Sequence, residues 1–307
     1  MINALYSSLA KNAVFLLCLA MLGWAGNTIA GRLSTGEISP IMVVFLRWLI
    51  ITIFLLIFFY TKIVKSFVLL KGKMLWLFLM GGLGMTSFNS LFYIAAQKTS
   101  AINLGIIQGV MPAIILTGSV FFFRERVNFV KLIGLLTTFF GVLIVVSKGD
   151  VETIIRLTVN AGDLIMFLAL FFYAGFTLGL RYKPEMNPLV MMAYFSFSAL
   201  IFSFPLLLIE MVLGYSQLPS NSNAWLTIIY IAFVPTFLAQ ICFIRGVELI
   251  GPSRAGLFIN ILPIFAAILG VIILGENLQL FHFISLIVVL SGVYLFMVFG
   301  DIEKGKI

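Results

Sequence analysis

Charge is what this chain has least of. Only 10% of its 307 residues are Asp, Glu, Lys or Arg, against about 25% in soluble globular domains. So few charges cannot cover a water-facing surface, which excludes a soluble fold over most of the length. Histidine is nearly absent too, with His282 alone at the start of the last apolar run. The two cysteines, Cys18 and Cys242, lie in separate apolar runs with no CxxC pair, so neither a metal site nor a disulfide framework is expected. No Asp or Glu stands in the middle of an apolar run; Asp163 and Glu210 fall at run ends. An integral membrane enzyme would need clustered acids or a His/Asp or Ser/His set near one face. None is present, and no catalytic residue, metal or cofactor is expected. A proton relay through a buried acid lacks its acid as well.

What the chain has is apolar sequence, 62% of it hydrophobic, in runs long enough to cross a bilayer, which takes about 17 to 25 residues. Ten spans are expected, the first five at Ala13–Ala30, Pro40–Tyr60, Met74–Ala96, Ser100–Phe123 and Val130–Ser147. The other five are Gly162–Leu180, Pro188–Leu213, Ala224–Phe243, Gly251–Leu274 and Leu278–Phe299. Lys11 before the first run suggests a signal peptide as a rival, but the run is long and no A-x-A site follows it. Residues 148–161 form a linker, and 214–223, rich in Ser, Asn, Gly and Pro, form a loop. Ten alternating spans put 14 of the 19 basic residues on one side, four (Arg32, Lys98, Lys148 and Arg156) on the other, and Arg47 inside span two. Lysine and arginine concentrate on the cytoplasmic side, so both termini are expected there. The same split accounts for the net charge of +8 through anionic headgroups, without a nucleic-acid partner.

The sequence also repeats itself. Gly105, Pro112, Glu125 and Gly141 recur 151 positions later as Gly256, Pro263, Glu276 and Gly292. Fixed spacing between rare residues argues for a duplicated unit, with repeats at 13–147 and 162–299. Five spans is an odd number, so the second repeat must enter the membrane from the opposite face. The expected fold is therefore all-α and integral to the membrane, with ten transmembrane helices as two inverted five-helix repeats. Pro112 and Pro263 each interrupt an apolar helix and free the carbonyl four residues earlier, of Gln108 and Ile259. In lipid, a cavity, a neighbour or water must satisfy such a group. Proline-broken helices at matching places in two repeats point to a transporter's substrate site, and the two prolines are candidate hinges. A kink that only shapes packing is the alternative.

Other polar residues inside spans are costly and point to function. Trp24 and Asn27 share one face of span one, and aligning Ala25-Gly26 with Ala174-Gly175 sets Tyr173 and Phe176 against them. Asn89 and Tyr93 share a face of span three, and the offset of 151 sets Gln240 against Asn89. Gln108 and Asn260 lie within a turn of the two prolines. These eight residues (Phe176 excepted) are the candidate substrate-binding set, with interhelical hydrogen bonding as the competing account. Gly105/Gly109, Gly175/Gly179 and Gly81, Gly82 and Gly84 read as helix-packing positions. Asn103 reads as interfacial, and Glu125 and Glu276 as terminators of spans four and nine.

Together, the run Gly23-Trp24-Ala25-Gly26-Asn27, the run Phe45-Leu46-Arg47-Trp48, and the spacings Pro112 to Glu125 and Pro263 to Glu276 resemble the EamA-like branch of the drug/metabolite transporter superfamily. The resemblance covers about residues 13–146 and 162–299. It implies a ten-helix inner-membrane carrier whose central cavity is lined by spans 1, 3, 4, 6, 8 and 9. Members move small metabolites, often exporting amino acids, and others carry nucleotide-type or vitamin substrates. The expected function is a secondary transporter, an exporter of a small organic metabolite working by alternating access. Its partners are that small molecule and the lipid bilayer, in a monomer or a homodimer. An integral membrane enzyme or a non-transporting structural membrane protein is the alternative. A polar-lined central cavity would favour the carrier and a dry packed bundle the structural protein. The implied peripheral place of span two makes Arg47 a structural anchor that snorkels to the outer interface or binds a helix-end carbonyl. Pairing with a substrate carboxylate is the other option.

Reporter fusions test the topology. Fusions at residue 65 and at Ile307 should report cytoplasm, and fusions within 148–160 and 214–223 the outside. A cytoplasmic 148–160 would break the inverted-repeat expectation.

Overall fold

The computed structural model describes residues 12–98, 108, 111–124, 128–146, 149, 150, 152, 161–274 and 280–295. They form ten helical segments and no strand. In chain order these are α1 (Ala13–Ser34), α2 (Pro40–Ser66), α3 (Met74–Ala96), α4 (Met111–Phe123) and α5 (Phe129–Val146). There follow α6 (Ala161–Gly179), α7 (Pro188–Val212), α8 (Ser222–Ile250), α9 (residues 252–274) and α10 (Leu280–Tyr294). Six of them, α1, α2, α3, α6, α7 and α8, contain stretches long and apolar enough to cross a membrane; α4, α5 and α9 contribute shorter apolar stretches. Large apolar side chains such as Phe58, Phe121 and Val212 stand exposed on the outside of the bundle, as a lipid-facing surface requires. Residues Gly105, Gly109, Asn103, Glu125, Glu276 and most of the 148–161 linker lie outside the described residues.

The helices pack crosswise. Helix α1 lies between α8 and α9, and α6 lies between α3 and α4. Helix α2 runs along α7, and α5 along α10. Each half thus lends its first helix to the third and fourth helices of the other. Small residues set the approach. A Cβ on Gly26 of α1 would run into the hydroxyl of Tyr230, and one on Gly84 of α3 would sit 2.8 Å from the Cβ of Phe176. The two members of Gly175/Gly179 differ: Gly179 meets Met80, whereas Gly175 has nothing within 4 Å of where its Cβ would be.

Two wide turns interrupt the long helices. Residues Leu79–Ser87 of α3 and Ala232–Ala239 of α8 are π-helical, a geometry that usually appears as single-turn bulges and often at functional sites. In α8 the cause is local. Pro235 lacks an N–H, so the Ile231 carbonyl four residues earlier loses its helical partner. The hydroxyl of Thr236 donates to that carbonyl at 2.6 Å. In α3, three glycines within four residues weaken the α-helical preference, and the Thr86 hydroxyl donates to the Gly81 carbonyl at 3.1 Å, again five residues back. Both Asn89 and Gln240 follow directly on these turns. In α9 the residues before Pro263 tighten into a 3-10 turn, Phe258–Ile261.

Some helices run past the ends expected from sequence, α2 to Ser66 rather than Tyr60 and α8 further still. Span eight does not end at Phe243, because α8 continues to Ile250 and stops at Gly251, whose φ is 83°. The charged residues of this last stretch are paired. Arg245 reaches Glu248 at 2.6 Å and Lys183 reaches the same carboxylate at 2.7 Å. Glu210, near the end of α7, is buried and holds the start of α2. Its carboxylate accepts from the Ser39 hydroxyl (2.7 Å) and from the backbone N–H of Ile41 (3.0 Å) and Met42 (3.2 Å). Those amides are among the four that every helix start leaves without an intrahelical partner, and a carboxylate suits the positive end of the helix dipole.

Glu210→Ala should therefore destabilise the protein. Two buried N–H groups lose a charged acceptor, about 1–3 kcal/mol for each donor left unsatisfied. A thermal melt of the purified variant in detergent should show a clear fall, and Glu210→Gln a smaller one, since its amide still accepts. An unchanged melt for Glu210→Ala would remove this cap from the account.

Candidate functional site

Where the crossed helices meet, the packing leaves a slot. Its cavity volume is about 50 Å³. A single water needs roughly 10–15 Å³ by that measure, so the slot takes a few waters and must widen to take a metabolite. Its walls come from α1, α2, α3, α6, α8 and α9, with Gln108 and Met111 from the fourth segment.

Arg47 is the charged group of this slot, and it does not snorkel. Its side chain is only 4% exposed and turns inward from α2. The expectation of an interfacial anchor is corrected here, and the reason lies in its partners. The Nε–H donates to the Thr236 hydroxyl at 2.6 Å. Nη1 donates to the Asn89 side-chain oxygen at 2.8 Å and to the Tyr93 hydroxyl at 3.3 Å. Each acceptor is oriented by a further bond. Thr236 gives its own proton to Ile231, Asn89 gives its amide N–H to the Met85 carbonyl at 2.7 Å, and Tyr93 gives its proton to Asn27 Oδ1 at 2.8 Å. Every oxygen facing the guanidinium is thereby fixed as an acceptor. A charge at mid-membrane costs about 2.5–3.5 kcal/mol on insertion scales, and hydrogen bonds to a charged group contribute about 1.5–3 kcal/mol each. Three such bonds offset the placement without any carboxylate. The Arg47 guanidinium also lies 5.5 Å from the ring centroid of Trp48.

The aromatic part of the slot is built on Trp24. Its indole N–H donates to the Pro235 carbonyl at 3.1 Å, inside the wide turn of α8. Its ring meets Tyr173 edge-on at 5.5 Å and Phe243 at 5.0 Å, while Phe88 meets Tyr173 at 4.8 Å. The Tyr173 hydroxyl adjoins the Gln240 amide, yet neither it nor Gln240 Nε2 has a hydrogen bond of ordinary geometry among the described residues.

Of the eight candidates read from sequence, Trp24, Asn27, Asn89, Gln108, Tyr173 and Gln240 line the slot. Tyr93 stands behind it, bonding Asn27 and Arg47. Asn260 is fully buried outside the lining, with both side-chain polar atoms unpartnered, and its neighbours Ile259 and Leu262 reach the slot instead. Phe176 packs on Tyr173 and Phe195 away from the lining. Pro112 is buried one residue beyond Met111, and Pro263 follows the 3-10 turn of α9. Sequence reasoning placed Arg47 wrongly and overlooked Thr236. The signal was available in both cases: a charged residue two turns inside an apolar run, and a hydroxyl directly after a proline.

Comparison with known proteins places this geometry. The profile of the EamA-like transporter family matches residues 11–147 and again 160–298. The uncharacterized transporter YyaM of Bacillus subtilis is 26% identical over 285 residues, covering 91% of this chain and 92% of that protein. The uncharacterized inner membrane transporter YicL of Salmonella typhimurium is 23% identical, covering 94% and 95%. A solved crystal structure aligns with a TM-score of 0.76 over 94% of this chain and 98% of its own, at 17% identity, a likeness of fold.

The Arg47 network can be tested at Thr236. Thr236→Val leaves the Arg47 Nε–H without its partner and should lower thermal stability by about 1–3 kcal/mol. Thr236→Ser keeps the hydroxyl and should melt near the wild type. Equal melts for the Val and Ser variants would show that the hydroxyl does not hold Arg47.

Proposed function

The chain belongs to the EamA-like transporter family, and on that premise we propose that it is a secondary carrier exporting a small organic metabolite across the inner membrane by alternating access. The observation that carries this reading is the slot itself: a polar-lined space with a buried cation, set in an otherwise apolar bundle at the meeting point of both halves. A structural membrane protein has no use for six polar side chains and an arginine around a space at its centre.

In this reading ten spans form two inverted five-helix repeats, 13–147 and 162–299, joined by an outer linker at 148–161. The distribution of lysine and arginine supports cytoplasmic termini. The crosswise packing of α1 on α8 and α9, and of α6 on α3 and α4, supports two related halves around one site. The substrate lies in the slot against Trp24, Asn27, Asn89, Gln108, Tyr173 and Gln240, with Tyr93 and Asn260 supporting from behind. The fourth and ninth spans bend at Pro112 and Pro263, one opening the outer path and the other the inner.

Transport is tested by reconstituting the purified protein in liposomes loaded with a metabolite extract and following protein-dependent efflux by mass spectrometry. Saturable efflux of a small set of compounds is expected, and its absence across the extract would contradict the reading. The hinge assignment has its own test. Pro112→Ala and Pro263→Ala restore a backbone hydrogen bond and straighten the helix. Both should slow efflux and shift the accessibility of single engineered cysteines in opposite directions, in a background lacking Cys18 and Cys242. Wild-type rates in both, or shifts in the same direction, would show the prolines to be packing features.

A further inference from the structure

The groups left over around the slot are nearly all donors. Arg47 commits Nε and Nη1 to Thr236, Asn89 and Tyr93, and Nη2 bonds to nothing among the described residues. The Trp48 indole N–H is buried without a partner among the described residues, the buried Tyr173 hydroxyl and Gln240 Nε2 have only each other nearby, and all four residues line the same space. Trp48, Tyr173 and Gln240 are 1%, 5% and 6% exposed. The slot also lacks the opposite kind of group, since no Asp or Glu is among its lining residues. Buried donors without acceptors are expensive. A ligand that relieves them must bring acceptors, and negative charge to meet an arginine that stays protonated.

We propose that the slot selects organic monocarboxylates with a flat apolar body and discriminates against molecules carrying a free ammonium, amino acids included. The inference deepens the carrier reading above and rests on it. Nη2 offers a charge-assisted hydrogen bond to a carboxylate oxygen, with Tyr173 and Gln240 as the other donors. The body of the molecule then lies against Trp24 and Phe88. An ammonium in the same slot brings three more donors, finds no carboxylate, and sits beside a like charge that the buried position screens poorly. The zwitterion of an amino acid gains the arginine contact but loses on its ammonium; a neutral amide brings an acceptor without charge.

The test uses the intact purified protein in nanodiscs. Binding of benzoate, 3-phenylpropionate and indole-3-propionate is measured by calorimetry and thermal shift, beside phenylalanine, phenethylamine and 3-phenylpropionamide. At least one carboxylate should bind about tenfold or more tightly than the amino acid, the amine and the amide, a difference of the size expected for a charge-assisted pair. Arg47→Gln should abolish that advantage. Tyr173→Phe and Gln240→Leu leave the bonds of Arg47 in place and should weaken carboxylate binding severalfold while the proteins remain folded, so the test stands even if Arg47→Gln does not fold. Phenylalanine binding as tightly as the carboxylates, a preference that survives Arg47→Gln, unchanged affinity in both other variants, or no binding by any of the three carboxylates would each overturn the proposal. Liposome flux separates the two levels. Saturable flux of phenylalanine with the carboxylates ignored sinks this inference and leaves the carrier intact. Arg47-dependent binding of a carboxylate that is never carried supports the site and sinks the carrier.

Discussion

The central constraint on this molecule is a positive charge inside a lipid-facing bundle with no negative charge beside it. Arg47 is held by three neutral oxygens, from Thr236, Asn89 and Tyr93. They come from two helices belonging to different halves of the chain, so the solvation of one guanidinium ties α2 to both α3 and α8. An ion pair would have satisfied the charge and closed the site. Neutral acceptors satisfy it only in part and leave one edge of the guanidinium open to the slot.

The irregular backbone around Arg47 follows from the same constraint. An unbroken α-helix at α8 would bond the carbonyl of Ile231 within the helix and leave the Thr236 hydroxyl no fixed direction. The proline at position 235 frees that carbonyl, Thr236 caps it, and the hydroxyl oxygen then faces Arg47. The Pro235 carbonyl also receives the Trp24 indole N–H, which sets the aromatic wall. In α3 the glycine-rich turn performs the corresponding task, with the single Thr86 hydroxyl proton shared between the carbonyls of Gly81 and, in α7, Ala199. The two wide turns are thus where each half touches the other, and the polar residues that follow them, Asn89 and Gln240, enter the slot together.

Much of this was legible in the sequence because rare residues in apolar sequence are informative. The duplication showed in the spacing of glycines and prolines, the helices in the apolar runs, and six slot residues in polar side chains that lipid would otherwise expel. What stayed hidden is three-dimensional. Nothing in the periodicity of α2 says that Arg47 faces inward, since an arginine near a helix start has equal reason to reach for the interface; its direction is set by Thr236, which lies 189 positions away. The wide turns escape pattern reading because a single extra residue per turn barely alters an apolar run. The full length of α8 stayed hidden in the same way: Glu248 pairs with Arg245 and with the distant Lys183, so charged residues sit on the helix beyond Phe243.

The central claim is that the open edge of Arg47 is a binding group and its other edge a structural one. The most direct measurement is a high-resolution structure of the protein with a bound monocarboxylate. The account predicts the carboxylate within hydrogen-bonding distance of Arg47 Nη2, with the bonds from Nε and Nη1 to Thr236, Asn89 and Tyr93 unbroken. A carboxylate bound elsewhere, or one that pulls Arg47 away from all three oxygens, would contradict it.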